Sequence, residues 1–482
     1  MKEIILFALA LAPGLVRAAE PEAVTRQLAR PVLIRNEHNT LLRLTINAKE
    51  PFVQVQSITV ALEGASDLQS LQFYFTGGET GFSSEKPFGE RMGAETTIVF
   101  KGHARLNAGP NHFWLSCRVR ADADLSHKVD ASVEAIETSA GRIVPRDETP
   151  RLRKRIGIAL RKHFDDGIHT YRIPALATTP QGTLLCVYDM RRRAGRDLQE
   201  DIDIGLLRST DGGQSWEPQR VIMDMHEYGG LPQEQNGCSD PGIVVDPKTG
   251  EVFVAAVWTW GRPGTHQWSK GGSEPGFEIG QTGQFLMVRS QDDGRTWSEP
   301  ENLTHKLKKE EWILFVPSPQ QGIALPDGTL IMPCHLLSRD ATNRAGHSYS
   351  KVFRSTDDGR TWSQARIGPE GFPPKPQTAS DWTVVEVPNE DRPGKTVTML
   401  GVSVQHGGKL APAHVFLWRS RDSGRTWDKS LNPDTRGWID VDGFFSQSTT
   451  YRCASGRLLH PVRVDRTGPH WKLPGARNLE QE

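Results

Sequence analysis

An eight-residue pattern, Ser-x-Asp-x-Gly-x-(Ser/Thr)-Trp, occurs four times in this chain, beginning at Ser209, Ser290, Ser355 and Ser420. The copies stand 81, 65 and 65 residues apart, and each follows a short apolar stretch ending in Arg-Ser. The composition of the pattern suits a tight hairpin. Asp accepts hydrogen bonds from the backbone of its own turn, Gly supplies a positive φ, and Trp packs back as an anchor. The intervals are long enough for one four-stranded sheet each. Self-similarity on that scale predicts an all-β fold of radially repeated sheets, a propeller, over residues 156–482.

The region before the first copy reads differently. Residues 1–19 have the order of an export signal: Lys2, an apolar run from Ile4 to Ala12, then the small pair Ala18-Ala19. The run is too short to span a bilayer, so a secreted or periplasmic protein is expected, with no transmembrane segment. Residues 20–150 contain alternating apolar strands (Leu41 to Ile46, Gln56 to Leu62, Ser70 to Phe75, Thr96 to Phe100, Asn111 to Val119 and Lys128 to Ile136) and no copy of the octapeptide. A separate β-sandwich is the expectation there. The basic stretch from Val144 to Arg155 reads as a linker.

Charge and cysteine content narrow the class. With 58 basic and 58 acidic residues, no global field draws in nucleic acid, and a monomer without a nucleic-acid partner is expected. Five widely spaced cysteines (Cys117, Cys186, Cys238, Cys334 and Cys453) show neither a zinc pattern nor a disulfide framework, so no metal or cofactor is expected. They read as small buried strand residues. Gly261 to Gly272 reads as a long irregular loop, and loops at one end of a propeller channel are where ligands bind.

Two segments hold the chemistry. Thr170-Tyr171-Arg172-Ile173-Pro174 places Arg172 inside an apolar strand, where a guanidinium needs a partner. That partner is either a structural carboxylate or a ligand carboxylate gripped by two parallel hydrogen bonds. The next strand, Leu184 to Asp189, runs into Arg191-Arg192-Arg193 and a mixed-charge loop, Gly195 to Asp201.

With the four boxes, Tyr171-Arg172-Ile173-Pro174 and the spacing from Arg191 to Asp197 resemble the bacterial sialidase (neuraminidase) family, especially members with an extra N-terminal β-domain. The resemblance implies a six-bladed propeller that hydrolyses terminal α-sialic acids with retention, acting on sialylated glycans. Sialidases use a tyrosine nucleophile where most glycosidases use a carboxylate. By position, Arg172 resembles the first arginine that holds the sugar carboxylate, and Arg191 and Asp240 resemble the pair meeting the C4 side. Asp197 resembles the acid/base, and Trp258 or Trp260 a wall of the N-acyl pocket, with ordinary core as the alternative for both rings. The match is looser further on. Asp381 stands where the family has the glutamate that activates the nucleophile, and Ser403 or His406 where it has the second arginine. Arg463 or Arg466 would be the third arginine, and Tyr451 is the tyrosine near the end, with Phe444 at the family-like position. A last blade that is incomplete is expected from the remaining length. A divergent propeller that binds or cleaves another acidic sugar, or an inactive lectin, is the other reading.

Overall fold

The computed structural model describes residues 22–198, 200–260, 272–340, 343–365, 378–388, 396–405, 413–426, 428–429, 438–441, 445–448, 451–452, 458–459 and 462–464. Side chains are described up to residue 338 of these, and again at 351–364, Val384 and 420–426. The expected signal segment and the loop at 261–271 lie outside the described residues. Two compact units meet at Leu160 and Arg161.

The N-terminal unit is a sandwich of two sheets. One runs in the order Arg146–Asp147, Glu22–Arg26, Asn39–Ala48, Gly109–Val119, Leu68–Gly77, Pro87–Gly93. The other runs Val32–Ile34, Lys154–Ile158, Lys128–Thr138, Gln54–Glu63, Thr97–Arg105, with Gly141–Ile143 on the third of these. Alternation along the strands turns Leu44, Ile46, Phe73, Phe113 and Leu115 of one sheet towards Ile58, Val60, Phe100 and Val129 of the other. Phe73 meets Phe100 edge to face at 5.1 Å. Each such side chain contributes about 1.5–3 kcal/mol on burial.

The expected boundary needs one correction. Lys154–Ile158, read as linker and propeller start, is a strand of the sandwich, parallel to Val32–Ile34 and antiparallel to Lys128–Thr138. Lys154 is 2% exposed, and its ammonium donates to the Leu28 carbonyl at 2.5 Å. Burial pushes that ammonium down to about 8. A basic stretch looked like a solvated linker because nothing in the sequence marks which lysine is covered.

The second unit repeats a four-stranded antiparallel sheet. The first is Thr170–Thr178, Leu184–Arg191, Ile202–Ser209, Arg220–Met223, and the second Asn236–Val245, Val252–Trp260, Gln284–Ser290, Glu301–Asn302. The third is Trp312–Pro317, Leu330–Asp340, Asn343–Ser355, Ser363–Ala365, and the fourth Thr378–Pro388, Thr396–Gln405, Ala413–Ser420, Asp428–Lys429. The first strand of the second sheet touches those of both the first and third, which places first strands innermost. Beyond the fourth sheet, Phe445–Ser448 pairs with Val462–Val464 and Tyr451–Arg452 with Leu458–Leu459. The fold is a β-propeller with an N-terminal β-domain, and four full blades lie among the described residues.

Every octapeptide is the hairpin between the third and fourth strands of its blade. In the first, the Ser209 hydroxyl donates to Asp211 at 2.8 Å and accepts from the Gly213 amide at 2.9 Å. The Ser215 amide and hydroxyl donate to the same carboxylate. Gly213 has φ 89° and its carbonyl accepts from the Trp216 indole at 3.2 Å. The Ser-Asp-Gly bonds recur around Asp292, Asp357 and Asp422.

The boxes also clasp neighbouring blades. Asp293 of the second accepts from Thr179 at 2.6 Å and Thr183 at 2.7 Å, in the first hairpin of the preceding blade, and pairs with Arg208. Asp358 of the third pairs with Lys248 at 3.1 Å, and Ser423 of the fourth bonds to Asp327. Cys117, Cys186, Cys238 and Cys334 are buried thiols outside any disulfide, while Cys453 lies outside the described residues.

Candidate active site

The first and second blades meet in a network built on Asp189, near the end of the second strand of the first blade. Asp189 and Arg191 are two residues apart, so their side chains share one face of the strand. The Arg191 guanidinium donates through Nε and Nη2 to Asp189 at 3.1 and 2.9 Å, and through Nη2 to Asp197 at 2.7 Å. Its Nη1 donates to the carbonyls of Gly195 and Arg196 at 3.1 and 3.0 Å. One fully buried arginine thus shapes the 195–201 loop and fixes its aspartate, whose side chain stays 41% exposed.

Asp189 reaches the second blade as well. It accepts from the Ser239 hydroxyl at 2.6 Å and from the Asp240 amide at 3.0 Å. Complete burial pushes the Asp189 carboxyl up, and Arg191 and Ser239 pull it back towards the charged form. Burial opposes the charge on Arg191 too, but Asp189 and Asp197 outweigh it and raise the guanidinium's pKa. Truncating either partner of such a buried pair costs about 3–5 kcal/mol.

Both inner strands are broken at the same place. The ladder of the first slips between Arg172 and Ala175, and that of the second between Ser239 and Gly242. Ile173 and Asp240 in these bulges have φ 56° and 57°, and each precedes a proline. A β-branched residue at positive φ is strained by about 1–3 kcal/mol, and such strain gathers at functional sites. Asp240 is held here, 6% exposed. Arg172 pairs in register with Asp189, and Thr170 with Arg191, so Arg172 stands on the face that holds the network. Arg172 is half-buried, yet none of the described residues hydrogen-bonds or ion-pairs with it.

Leu198 pins the acidic loop. It has φ 55°, is fully buried, and packs with Val257, Ile313, Leu314, Val316 and Leu337 of the second and third blades. Its carbonyl accepts from the Thr259 hydroxyl. A Cβ on Gly237 would meet the Glu200 carbonyl at 2.8 Å, so only glycine lets the loop lie against the second blade.

Arg172, Arg191, Asp197 and Asp240 therefore converge on the junction of the first two blades. Trp258 and Trp260 are 0% and 1% exposed, with rings 5.8 Å apart in the core, which is the alternative left open for them. Trp260 presents no ring face to a ligand in this arrangement, because the second strand of the blade is covered on both sides. Asp381 lies on the fourth inner strand, where the ladder slips between Ala379 and Trp382. Ser403 is on the strand beside it, Tyr451 on a short strand opposite Leu459, and Arg463 opposite Gln447. The side chains of these four, and Arg466, His406 and Phe444 altogether, lie outside the described residues.

Sequence reasoning missed Asp189, Ser239, Leu198 and Thr259. The two-residue spacing of Asp189 and Arg191 on one strand was a usable signal for the first. None existed for a leucine in a polar loop. Among the described residues, no group of three or more His, Cys, Asp or Glu side chains is arranged to hold a metal ion. A groove lined by Arg220, Met223, Arg295 and Trp297 lies at the box hairpins and contains none of the site residues.

Comparison with known proteins gives the family of the chain. Residues 182–392 match a BNR repeat-like domain, and residues 21–141 match the N-terminal domain of BNR-repeat neuraminidase. A sialidase of Bacteroides fragilis is 34% identical over 459 residues, covering 88% of this chain and 79% of its own length. One from Paraclostridium sordellii is 30% identical over 266 residues, 54% of this chain and 57% of its own. Among solved structures, the Hadza microbial sialidase Hz136 superposes with a TM-score of 0.71 at 28% identity, covering 91% of this chain and 86% of that one. The chain belongs to the sialidase family.

Proposed function

We propose that this exo-sialidase, a glycoside hydrolase, removes terminal α-linked sialic acids from glycoconjugates with retention of configuration, and that its site opens at the junction of the first two blades. The observation that carries the placement is Arg172: a half-buried guanidinium that no described residue pairs, beside a network in which Arg191 is paired with Asp189 and Asp197. Burying a cation unpaired is costly, so a ligand carboxylate belongs there.

In this reading Arg172 grips the sugar carboxylate. Asp197, exposed on a loop held by Arg191 and Leu198, gives its proton to the glycosidic oxygen as the carbon–oxygen bond to the aglycone breaks. Tyr451 attacks the anomeric carbon as its phenolic proton passes to Asp381, one methylene shorter than glutamate. Water then releases the sugar with the same groups reversed. A neutral phenol avoids the repulsion a carboxylate nucleophile would meet from the substrate's own carboxylate. Arg463 or Arg466 would supply a further grip on that group. Asp240 and Arg191 flank the C4 side, and Trp260 acts from the core as support. The protein acts outside the cytoplasm as a monomer, in keeping with the export-like residues 1–19; no helix among the described residues is long and apolar enough to cross a membrane.

Proton NMR of α-sialyllactose hydrolysis tests this directly. Retention predicts the α-anomer of free sialic acid first, followed by mutarotation. The β-anomer first would overturn the tyrosine mechanism, and no release would overturn the activity.

A further inference from the structure

Phe164 is the most exposed large apolar side chain among the described residues of the propeller unit, at 69%. It is not on a slack loop. The Phe164 amide donates to the Ile168 carbonyl at 2.8 Å, the Ile168 amide to Asp165 at 3.0 Å, and the Lys162 amide to the Asp165 carboxylate at 3.0 Å. The Tyr171 hydroxyl donates to the Asp165 carbonyl at 2.9 Å. Phe164 itself has φ 69°, a conformation that disfavours a phenylalanine. A tight, strained turn thus holds a benzene ring largely in water, in a T-shaped pair with His169 whose ring centroids are 5.1 Å apart. Strain and exposure of an apolar ring both cost free energy, and a ligand covering the ring would offset part of it.

The location names the ligand. Thr170 opens the inner strand opposite Arg191, where the second strand closes, so the 162–169 turn and the acidic loop leave the same edge of the blade. The two are joined, since the His169 amide donates to the Arg192 carbonyl at 3.2 Å, and a Cβ on Gly195 would lie 3.4 Å from the Thr170 hydroxyl. On the reading of Asp197 as the acid, the group beyond the protonated oxygen is the aglycone. A pyranose presents an apolar C–H face that packs on an aromatic ring, and its rim hydroxyls suit flanking imidazoles such as His163 and His169. We infer that Phe164 is the platform for the first sugar of the aglycone, making this a sialidase selective for sialosides carried on a sugar. This rests on the sialidase reading above.

The test compares α-sialyllactose with methyl α-sialoside, two alkyl leaving groups that need the same protonation but differ in having a ring to stack. Phe164→Ala should lower kcat/KM for sialyllactose about tenfold relative to the methyl glycoside, raising KM more than it lowers kcat. Phe164→Asn, which keeps the preference for positive φ, should do the same, and Phe164→Tyr should stay within about twofold of wild type. An unchanged ratio, or an equal loss on both substrates, overturns the platform while leaving the sialidase reading intact. A wild-type protein inactive on both sialosides overturns that reading, and the platform falls with it.

Discussion

At the rim of the propeller four boxes repeat the same Ser-Asp-Gly bonds, whereas at its centre the inner strands are interrupted and carry different residues where they break. The ladder slips at Arg172 in the first blade, at Asp240 in the second and at Asp381 in the fourth, and the third breaks after Pro317. A rim hairpin has one task, closing a turn and clasping the blade before it, so one sequence serves every time. A central bulge re-aims a side chain, and the first two blades carry different residues there, Arg172 at one and Asp240 at the other. Repetition therefore reports the scaffold, and departure from repetition reports the chemistry.

Substitutions at the two places should separate cleanly. The largest effect belongs to the centre: Asp197→Asn should lower turnover of sialyllactose by about 10²–10⁴-fold, with a much smaller loss on an aryl sialoside whose leaving group needs little protonation. Equal losses on both would remove Asp197 as the acid. Next comes Asp293→Ala at the rim, which strips Arg208 of a buried partner and frees Thr179 and Thr183. It should cost about 3 kcal/mol in denaturant melts and leave kcat unchanged at 25 °C. A loss of kcat without loss of stability would break the division.

Leu198→Ala sharpens it from the other side. Removing the side chain empties a buried site between the second and third blades and loosens the acidic loop, so kcat for sialyllactose should fall about tenfold while KM changes little. If kcat holds and only the melting temperature drops, Leu198 is core and nothing more. The smallest effect is a pH dependence at the rim. Hydrogen bonds from the Ser215 hydroxyl and amide, then Ser209, hold the Asp211 carboxyl at about 2. A depressed carboxyl stabilises the fold above its unfolded value near 3.8 and loses that contribution as pH falls through about 2. The melting-temperature gap between wild type and Asp211→Asn should be full above pH 4 and close towards pH 2. A gap independent of pH would mean that the charge on Asp211 contributes nothing.

The same contrast explains what the sequence disclosed. The boxes were legible because Ser, Asp, Gly and Trp are each required by a local turn, and local requirements leave local patterns. Arg172, Arg191, Asp197 and Asp240 were legible through likeness to a family. Asp189 was not, because its role is to join two blades across the gap from residue 189 to 240, and no local pattern records that bond. Leu198 escaped for the same reason, a core residue placed by three blades inside a charged loop. Lys154 misled, since its burial depends on strands far away in sequence.

The central claim is the proposal that Arg172, which no described residue pairs, holds the carboxylate of an acidic sugar. Titration calorimetry of free sialic acid into wild type and Arg172→Ala, with Arg172→Lys as the charge-retaining control, tests it most directly. The account predicts measurable binding to wild type, a loss of at least about a hundredfold in Arg172→Ala, and partial recovery in Arg172→Lys. Equal affinity in wild type and Arg172→Ala would contradict it, and would make Arg172 a strand residue with no part in holding the substrate.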